Sequence, residues 1–595
     1  MPDTKYLSRQ SPYTYSYDNR TGWRRFRVLN PCRGMYHDVR RRLPYYWSDI
    51  RDALTYRTIA STIRIYFINI LPAIAYTLDM YRRTGEFYGI NEALFSSALA
   101  AMVFSVLGAQ PLTIVGITGL ISLFNYTIYD IVVIYEPSIY ANFMCWTAIW
   151  AAIFHWIVAV CNLCDYMRYV TDFSSESFGA YVGIIYCIKG VEELVNEFTV
   201  YGPTAGFMSC MIAILYFFTV YGLELLGSST ICRPWFRGLL ADYAYVVGTI
   251  FWVGFAHIPG NLKETGISFV PITRAFYPTQ PRGWLIHFWE LETKWIFAAL
   301  PFGFLVMLLF YYDHVKCQQP WCSKQTIPLK ETSRLPLGLL PLRLHHLHRR
   351  NHRHPNAERP RPTGTTPTHF SPTYTNPILN NLPTQAPVHT TSLTVTQTTL
   401  HIIPTSNPDD SGCTELRNPI TTLTAVIEQR ISHFLMGLAI IGTMTGPLLI
   451  VLHTMPAAVF AGVFLIVGWG SIESNGILQK IIFLLREDRF IPRNEELLRV
   501  PKRKIVFYVM CQVVGVAACV AISQTIAAIG FPILIIGLIP FRVWVMPRWF
   551  GAEELGVLDG LTADGEAVLC SLGGPPRFPG EERMVVEGER QKGGE

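Results

Sequence analysis

Charge is scarce in this chain: Asp, Glu, Lys and Arg make up 15% of 595 residues, against 50% hydrophobic. That balance excludes an ordinary soluble protein of this length, because the apolar surplus has to face lipid. Enzyme signatures are missing too. There is no nucleophile elbow, phosphate-binding loop or HExxH, so no catalytic activity is expected. The 13 cysteines lie mostly in apolar stretches (Cys145, Cys161, Cys210) or in the tails. Even a pair such as Cys161 and Cys164 reads as packing inside a hydrophobic span rather than as metal ligands. Neither a metal, a cofactor nor a nucleic-acid partner is called for. A cleavable signal pattern is also absent. In its place Arg24, Arg25, Arg27, Arg33, Arg40, Arg41, Arg42 and Arg51 crowd ahead of the first apolar run, which by the positive-inside rule puts that end in the cytosol.

What the chain does have is a succession of apolar runs of about 20 residues. They fall near 60–80, 91–107, 112–129, 140–162, 178–195, 205–226, 238–257 and 291–312, then 431–452, 456–468 and 505–545, the last long enough for two. Asp79, Glu92, Lys189, Glu192, Asp242 and Asp313 interrupt or border these runs. Ionisable groups at membrane depth are costly, so they either line a pathway or pair with one another. Basic clusters at Arg486, Arg489 and Arg493, and at Lys502, Arg503 and Lys504, read as topology signals. Stretches 36–51 and 473–486 mix apolar and charged residues at helical spacing and read as helices lying on the membrane surface.

The stretch Gly108-Ala109-Gln110-Pro111-Leu112-Thr113-Ile114-Val115-Gly116-Ile117-Thr118-Gly119 does not suit an unbroken helix. Proline removes a backbone donor and glycine weakens the helix, so an extended stretch should lead into a half-helix beginning near Thr118. The free N–H groups and positive dipole end of such a helix suit an oxyanion or a hydroxyl-rich solute near the midplane.

These residues resemble the bicarbonate transporter superfamily, the anion exchanger group that includes the plant and fungal borate transporters. Gly108-Ala109-Gln110-Pro111-Leu112 is similar to its hallmark, and Thr171-x-Phe173-x-x-Glu176-x-Phe178-Gly179 to the opening of its fifth span. Ala299-Leu300-Pro301 followed by Asp313 resembles the eighth span, Glu428-Gln429-Arg430-Ile431-Ser432 the signature before the eleventh, and Met455 to Phe464 the twelfth. The resemblance implies an all-α polytopic membrane fold of two inverted seven-span repeats with core and gate domains. Half-helices from spans three and ten would face each other across the site, the core would slide elevator-fashion against the gate, and a homodimer would form through the gate. The tenth-span half-helix matches Gln385-Ala386-Pro387-Val388-His389-Thr390-Thr391-Ser392-Leu393. Gln385 occupies the position where chloride/bicarbonate exchangers carry a substrate-binding arginine, so a fixed positive charge is missing there. A neutral donor and acceptor fits boric acid or borate better than a small anion held by Coulomb attraction.

With only about 55 residues ahead of span one, the large cytosolic domain of the animal exchangers would be absent. The resemblance therefore implies a fungal plasma-membrane exporter of borate, with bicarbonate/chloride exchange as the alternative. The implied site takes Gln110, Thr118, Gly119 and Leu120 from span three, Asp313 from span eight, and Gln385 and Ala386 from span ten.

The expected organisation is a basic cytosolic tail (1–55), spans one to eight (56–314), an aberrant segment (315–384), spans ten to fourteen (385–550) and a cytosolic C-terminal tail (551–595). Residues 315–384 are rich in Pro, His, Arg and Thr and contain no spanning helix where the family has its ninth span. The segment reads like the right nucleotides translated in the wrong frame, or mis-spliced. Leu335 to Pro341 is what codons for an aromatic family string give after a one-base slip. His345 to Pro355 has an apolar counterpart in a neighbouring frame.

Overall fold

The computed structural model describes residues 27–51, 53–54, 56–108, 115–229, 231–260, 263–271, 273–322, 394–403, 416–426, 430–492 and 495–562. Two short helices come first, α1 (Arg33–Arg42) and α2 (Tyr46–Arg51). The first group of long helices is α3 (Tyr56–Arg83), α4 (Ile90–Leu107), α5 (Gly119–Tyr135), α6 (Tyr140–Val160), α7 (Asp172–Val200), α8 (Pro203–Ser228), α9 (Pro234–Asp242), α10 (Ala244–Ala256) and α11 (Thr293–Cys322). The second group is α12 (Ile431–Thr443), α13 (Gly446–His453), α14 (Ala457–Glu473), α15 (Gly476–Leu485), α16 (Lys502–Ser523), α17 (Phe531–Trp544) and the short α18 (Ala552–Leu558). Among the described residues seven helical segments are long and apolar enough to cross a bilayer, or ten if each of three bent pairs is one span. The bent pairs are α9 with α10 (64°), α12 with α13 (82°) and α14 with α15 (64°). The chain is thus a mostly helical, multi-pass membrane protein.

Several expectations change in detail. The run 505–545 divides into α16 and α17, separated by a 3-10 turn at Ile526–Gly530. The run 178–195 is the middle of a 29-residue helix, α7, whose C-terminal half carries Lys189, Glu192, Glu193 and Glu197. Stretch 473–486 is the bent continuation of α14. Helix α11 continues through Cys322, so 315–322 belong to it rather than to a separate segment. The remainder of 315–384, with the proposed loss of span nine, lies outside the described residues.

The all-α expectation needs one correction. Residues 385–393 lie outside the described residues, but directly after them Thr394–Ile403 (β1) pairs antiparallel with Leu416–Val426 (β2), with a bulge after Val395. A tenth-span helix does not continue through this stretch. Thr394-Val395-Thr396-Gln397-Thr398-Thr399 is dominated by β-branched residues whose stiff side chains favour a pleated surface over a helix, and it is too polar for lipid.

Packing is long-range. Helix α4 lies on α12, α6 on α11, and α7 on α14 and α16, while α8 also packs on α14. The α7–α14 crossing is made by small residues: a Cβ on Gly183 would come within 2.8 Å of the Gly468 carbonyl oxygen, and one on Gly468 within 2.8 Å of that of Gly183. Such close backbone approach is how helices associate where lipid removes the hydrophobic drive. The first eight residues of α14, Ala457 to Phe464, are all buried, so this helix is central to the bundle.

Two single antiparallel bridges brace the ends. Thr171, ahead of α7, pairs with Leu561 after α18; Phe269, after α10, pairs with Pro456 ahead of α14.

Candidate solute-binding site

The interruption expected after α4 is present. Gly108 is extended (φ −62°, ψ 135°), residues 115–118 are non-helical, and α5 starts at Gly119 with Thr118 as its extended N-cap. No side chain caps this end among the described residues, so the first-turn N–H groups carry the partial positive charge of the helix dipole into the bundle.

The polar chain before α5 is fixed from α3 and α4. Asn69 Nδ2 donates to the Val115 carbonyl (3.0 Å), and its Oδ1 accepts from Ser97 Oγ (2.8 Å). Asn69 is packed so closely that a Cβ on Gly116 would lie 2.4 Å from Nδ2. Gly119 is closed in by two phenols. A Cβ there would fall 2.4 Å from Tyr76 Cε1 and 2.6 Å from Tyr186 Cε1, so a residue larger than glycine forces a ring away. The two rings lie 5.4 Å apart, and Tyr76 also meets Phe464 of α14 edge-on at 5.0 Å. Leu120 is buried in the core beside them, and Thr118 is partly buried.

The end of α4 is held as firmly as the start of α5. Arg430 donates to the carbonyls of Ser105 (3.0 Å) and Gly108 (2.5 Å), and Tyr46 to that of Val106 (3.0 Å). Its guanidinium meets Asp49 (3.3 Å) and lies 4.4 Å over the Tyr46 ring. A cation there satisfies the helix's last carbonyls and its negative dipole end. The signature around Arg430 therefore anchors the polypeptide on one side of the break.

The other sequence motifs are also structural anchors. Glu176 accepts from Lys480 (2.7 and 2.9 Å) and Gln512 (2.9 Å), tying α7 to α15 and α16. Asp559, fully buried, accepts from Phe173 N (2.7 Å) and from Arg542, which fastens the C-terminal segment to the start of α7.

Of the residues expected at the site, Thr118, Gly119 and Leu120 stand together at the start of α5. Gln110, Gln385 and Ala386 lie outside the described residues. Asp313 is placed only by backbone, in α11, and its side chain lies outside the described set. Of the other ionisable residues singled out along the apolar runs, each has a partner. Asp79 meets Arg83 and Lys189, Lys189 meets Glu192, Asp242 meets Arg64 (2.7 Å), and Glu92 accepts from Thr279 (2.8 Å). Sequence reasoning missed Asn69, Ser97, Tyr76, Tyr186 and the Arg430–Asp49 pair. A polar Asn and Ser on the apolar helices α3 and α4 were the one visible signal.

The pattern described as "HCO3- transporter integral membrane domain" matches residues 30–205 and 409–563, more than half of the chain. A Schizosaccharomyces pombe protein described as a transporter is 38% identical over 529 residues, 88% of this chain and 95% of that protein. Boron transporter 1 of Saccharomyces cerevisiae is 34% identical over 548 residues, 90% of this chain and 86% of the relative. Band 3 anion transport protein of Gallus gallus is 24% identical, over 90% of this chain and 56% of its own length. The transmembrane domain of the cyanobacterial bicarbonate transporter BicA aligns with 77% of this chain and 96% of its own at TM-score 0.40 and 11% identity, a likeness too slight to bear on the fold. The chain belongs to the HCO3- transporter family, to which its five ordered motifs had pointed.

Proposed function

We propose that this protein is a secondary transporter that exports borate or boric acid across the plasma membrane, with its N- and C-termini in the cytosol. The observation that carries the reading is the uncapped N-terminus of α5, set inside the bundle between Tyr76 and Tyr186. Backbone N–H groups and a helix dipole bind an oxyanion without a fixed side-chain charge, and phenol hydroxyls in that setting suit a hydroxyl-rich solute. Thr118, Gly119 and Leu120 line one half of the proposed site. Gln110, Asp313, Gln385 and Ala386 complete it. The likeness to Boron transporter 1 along 86% of that protein supports borate.

An elevator built of two inverted repeats is part of the same reading. It is supported by the reciprocity of the two bridges: the chain ahead of α7 pairs with the end of the second half, and the chain ahead of α14 with the end of the first. Two interlocked repeats exchange contacts in this way. A homodimer through the gate helices follows from the same reading.

The test is expression of a version with an apolar ninth span in yeast lacking its own boron exporter. Cell boron content should fall and growth in high boron recover, and Gln385→Arg should shift the chain toward chloride or bicarbonate flux. Unchanged boron content with measurable chloride/bicarbonate exchange would favour the second reading, which the band 3 likeness supports.

A further inference from the structure

Past the start of α5, the same helices carry a layer of paired charges. Helices α3 and α7 run in parallel register here, Tyr76 beside Tyr186, Asp79 beside Lys189 and Arg82 beside Glu193. At 1.5 Å per residue the last pair lies roughly 9 Å beyond the first. Arg82 grips Glu193 through both Nη atoms (2.5 and 2.6 Å). Arg83 reaches Glu192 (2.8 Å), and Lys189 reaches Asp79 (3.4 Å). Arg83 and Lys189 also lie 4.8 and 4.9 Å over the ring of Tyr126. Tyr126 is two turns along α5 from Gly119, so the three helices that meet at the site are tied again at one level beyond it.

Lys189 and Glu193 of this layer are buried, and buried charge pairs add little stability over apolar residues of the same shape, so their use calls for another reason. The arrangement of partners supplies one. Asp79 and Arg83 also pair within α3 (3.3 Å), and Lys189 and Glu192 within α7 (2.7 Å). When α3 and α7 separate, those four charges keep a partner on their own helix. Only the links between the helices break: Arg82–Glu193, Arg83–Glu192 and Lys189–Asp79.

We propose that this layer is a gate that seals the path between the α5 N-terminus and the membrane face at which α3 and α7 end. It opens by parting the inter-helix pairs while the intra-helix pairs hold. The proposal rests on the reading above that the α5 N-terminus is the solute site and that α3 moves relative to α7.

The experiment places Thr118→Cys in the full-length chain, reconstituted in proteoliposomes. A membrane-impermeant methanethiosulfonate is added to each face, and rates are read against the same chain without that substitution, because 13 native cysteines are present. Arg82→Gln is expected to raise labelling from the face where α3 ends by about tenfold, as loss of one closing pair shifts a two-state equilibrium. Arg82→Glu combined with Glu193→Arg should restore slow labelling. Should Arg82→Gln fail to fold, Glu192→Gln at the more exposed edge of the layer gives the same readout.

Unchanged labelling in a folded neutralised variant, or a swap that labels as fast as either single change, overturns the gate. Labelling requires no solute. Faster labelling in a chain that moves no boron would remove the functional reading and keep the gate, while constant labelling with intact boron flux would do the reverse.

Discussion

Replacing Arg430 by methionine asks whether a buried cation holds the end of α4. Asp49 has no exposed surface and Arg430 about 4%, so the substitution takes the guanidinium away from a buried carboxylate and removes the donor to two terminal carbonyls. Breaking one side of such a pair costs about 3–5 kcal/mol. Asp49→Asn keeps an acceptor facing the guanidinium and should cost less, about 1–2 kcal/mol. Removing both charges with Arg430→Met and Asp49→Asn together should recover part of the loss. The double-mutant cycle is expected to give a coupling of about 2 kcal/mol. Denaturant unfolding of the detergent-solubilised protein, followed by tryptophan fluorescence, measures all three variants. If Arg430→Met lost less than about 1 kcal/mol, or the two single changes simply added, the pair would not be the anchor described. A functional consequence also follows. With the end of α4 loosened, the extended chain ahead of Thr118 loses a fixed support and keeps that of Asn69, and solute affinity should fall along with stability.

Gly119→Ala should cost about 1–3 kcal/mol through displacement of Tyr76 or Tyr186, partly offset by about 1 kcal/mol of better helix propensity; transport should fall more than expression, and normal flux would show that the rings yield freely. Lys480→Met removes the cation from Glu176, which among the described residues keeps Gln512, and should destabilise by about 3 kcal/mol, read as a lower melting temperature in detergent. Gly468→Val pushes a side chain onto Cys187 and the Gly183 carbonyl and should separate α7 from α14, at a cost of about 1–3 kcal/mol, which thermal unfolding would detect. Sequencing cDNA across 315–384 should return an apolar ninth span, and an unbroken message encoding the histidine-rich string from His345 to Pro355 would remove the frame-slip reading.

Much of the architecture was legible because lipid imposes a simple rule on sequence. A span must be about 20 apolar residues long, so α3, α4, α6 and α8 could be placed within a few residues, and so could the start of α11. The break before α5 was legible for the same reason, since Pro111 and the surrounding glycines cannot continue a helix. Helix α7 shows where the rule stops. Its Lys189, Glu192 and Glu193 are tolerated because partners on α3 neutralise them, and those partners lie more than a hundred residues away in sequence. The ribbon of β1 and β2 was missed because the family likeness around Gln385 outweighed the plain β-branched pattern of the residues that follow.

By itself the sequence determined that the chain is a multi-pass membrane protein, where its helices run, that one of them is broken between Gly108 and Gly119, and to which family it belongs. These are local properties, set by apolar length, backbone donors and the order of short motifs. Only the tertiary structure decided what the motifs do. Glu176, Arg430 and Asp559 act as anchors between distant helices, Tyr76 and Tyr186 close on Gly119, and the charges of α3 find those of α7. Pairing at depth depends on which helix faces sit together, and no single segment encodes that.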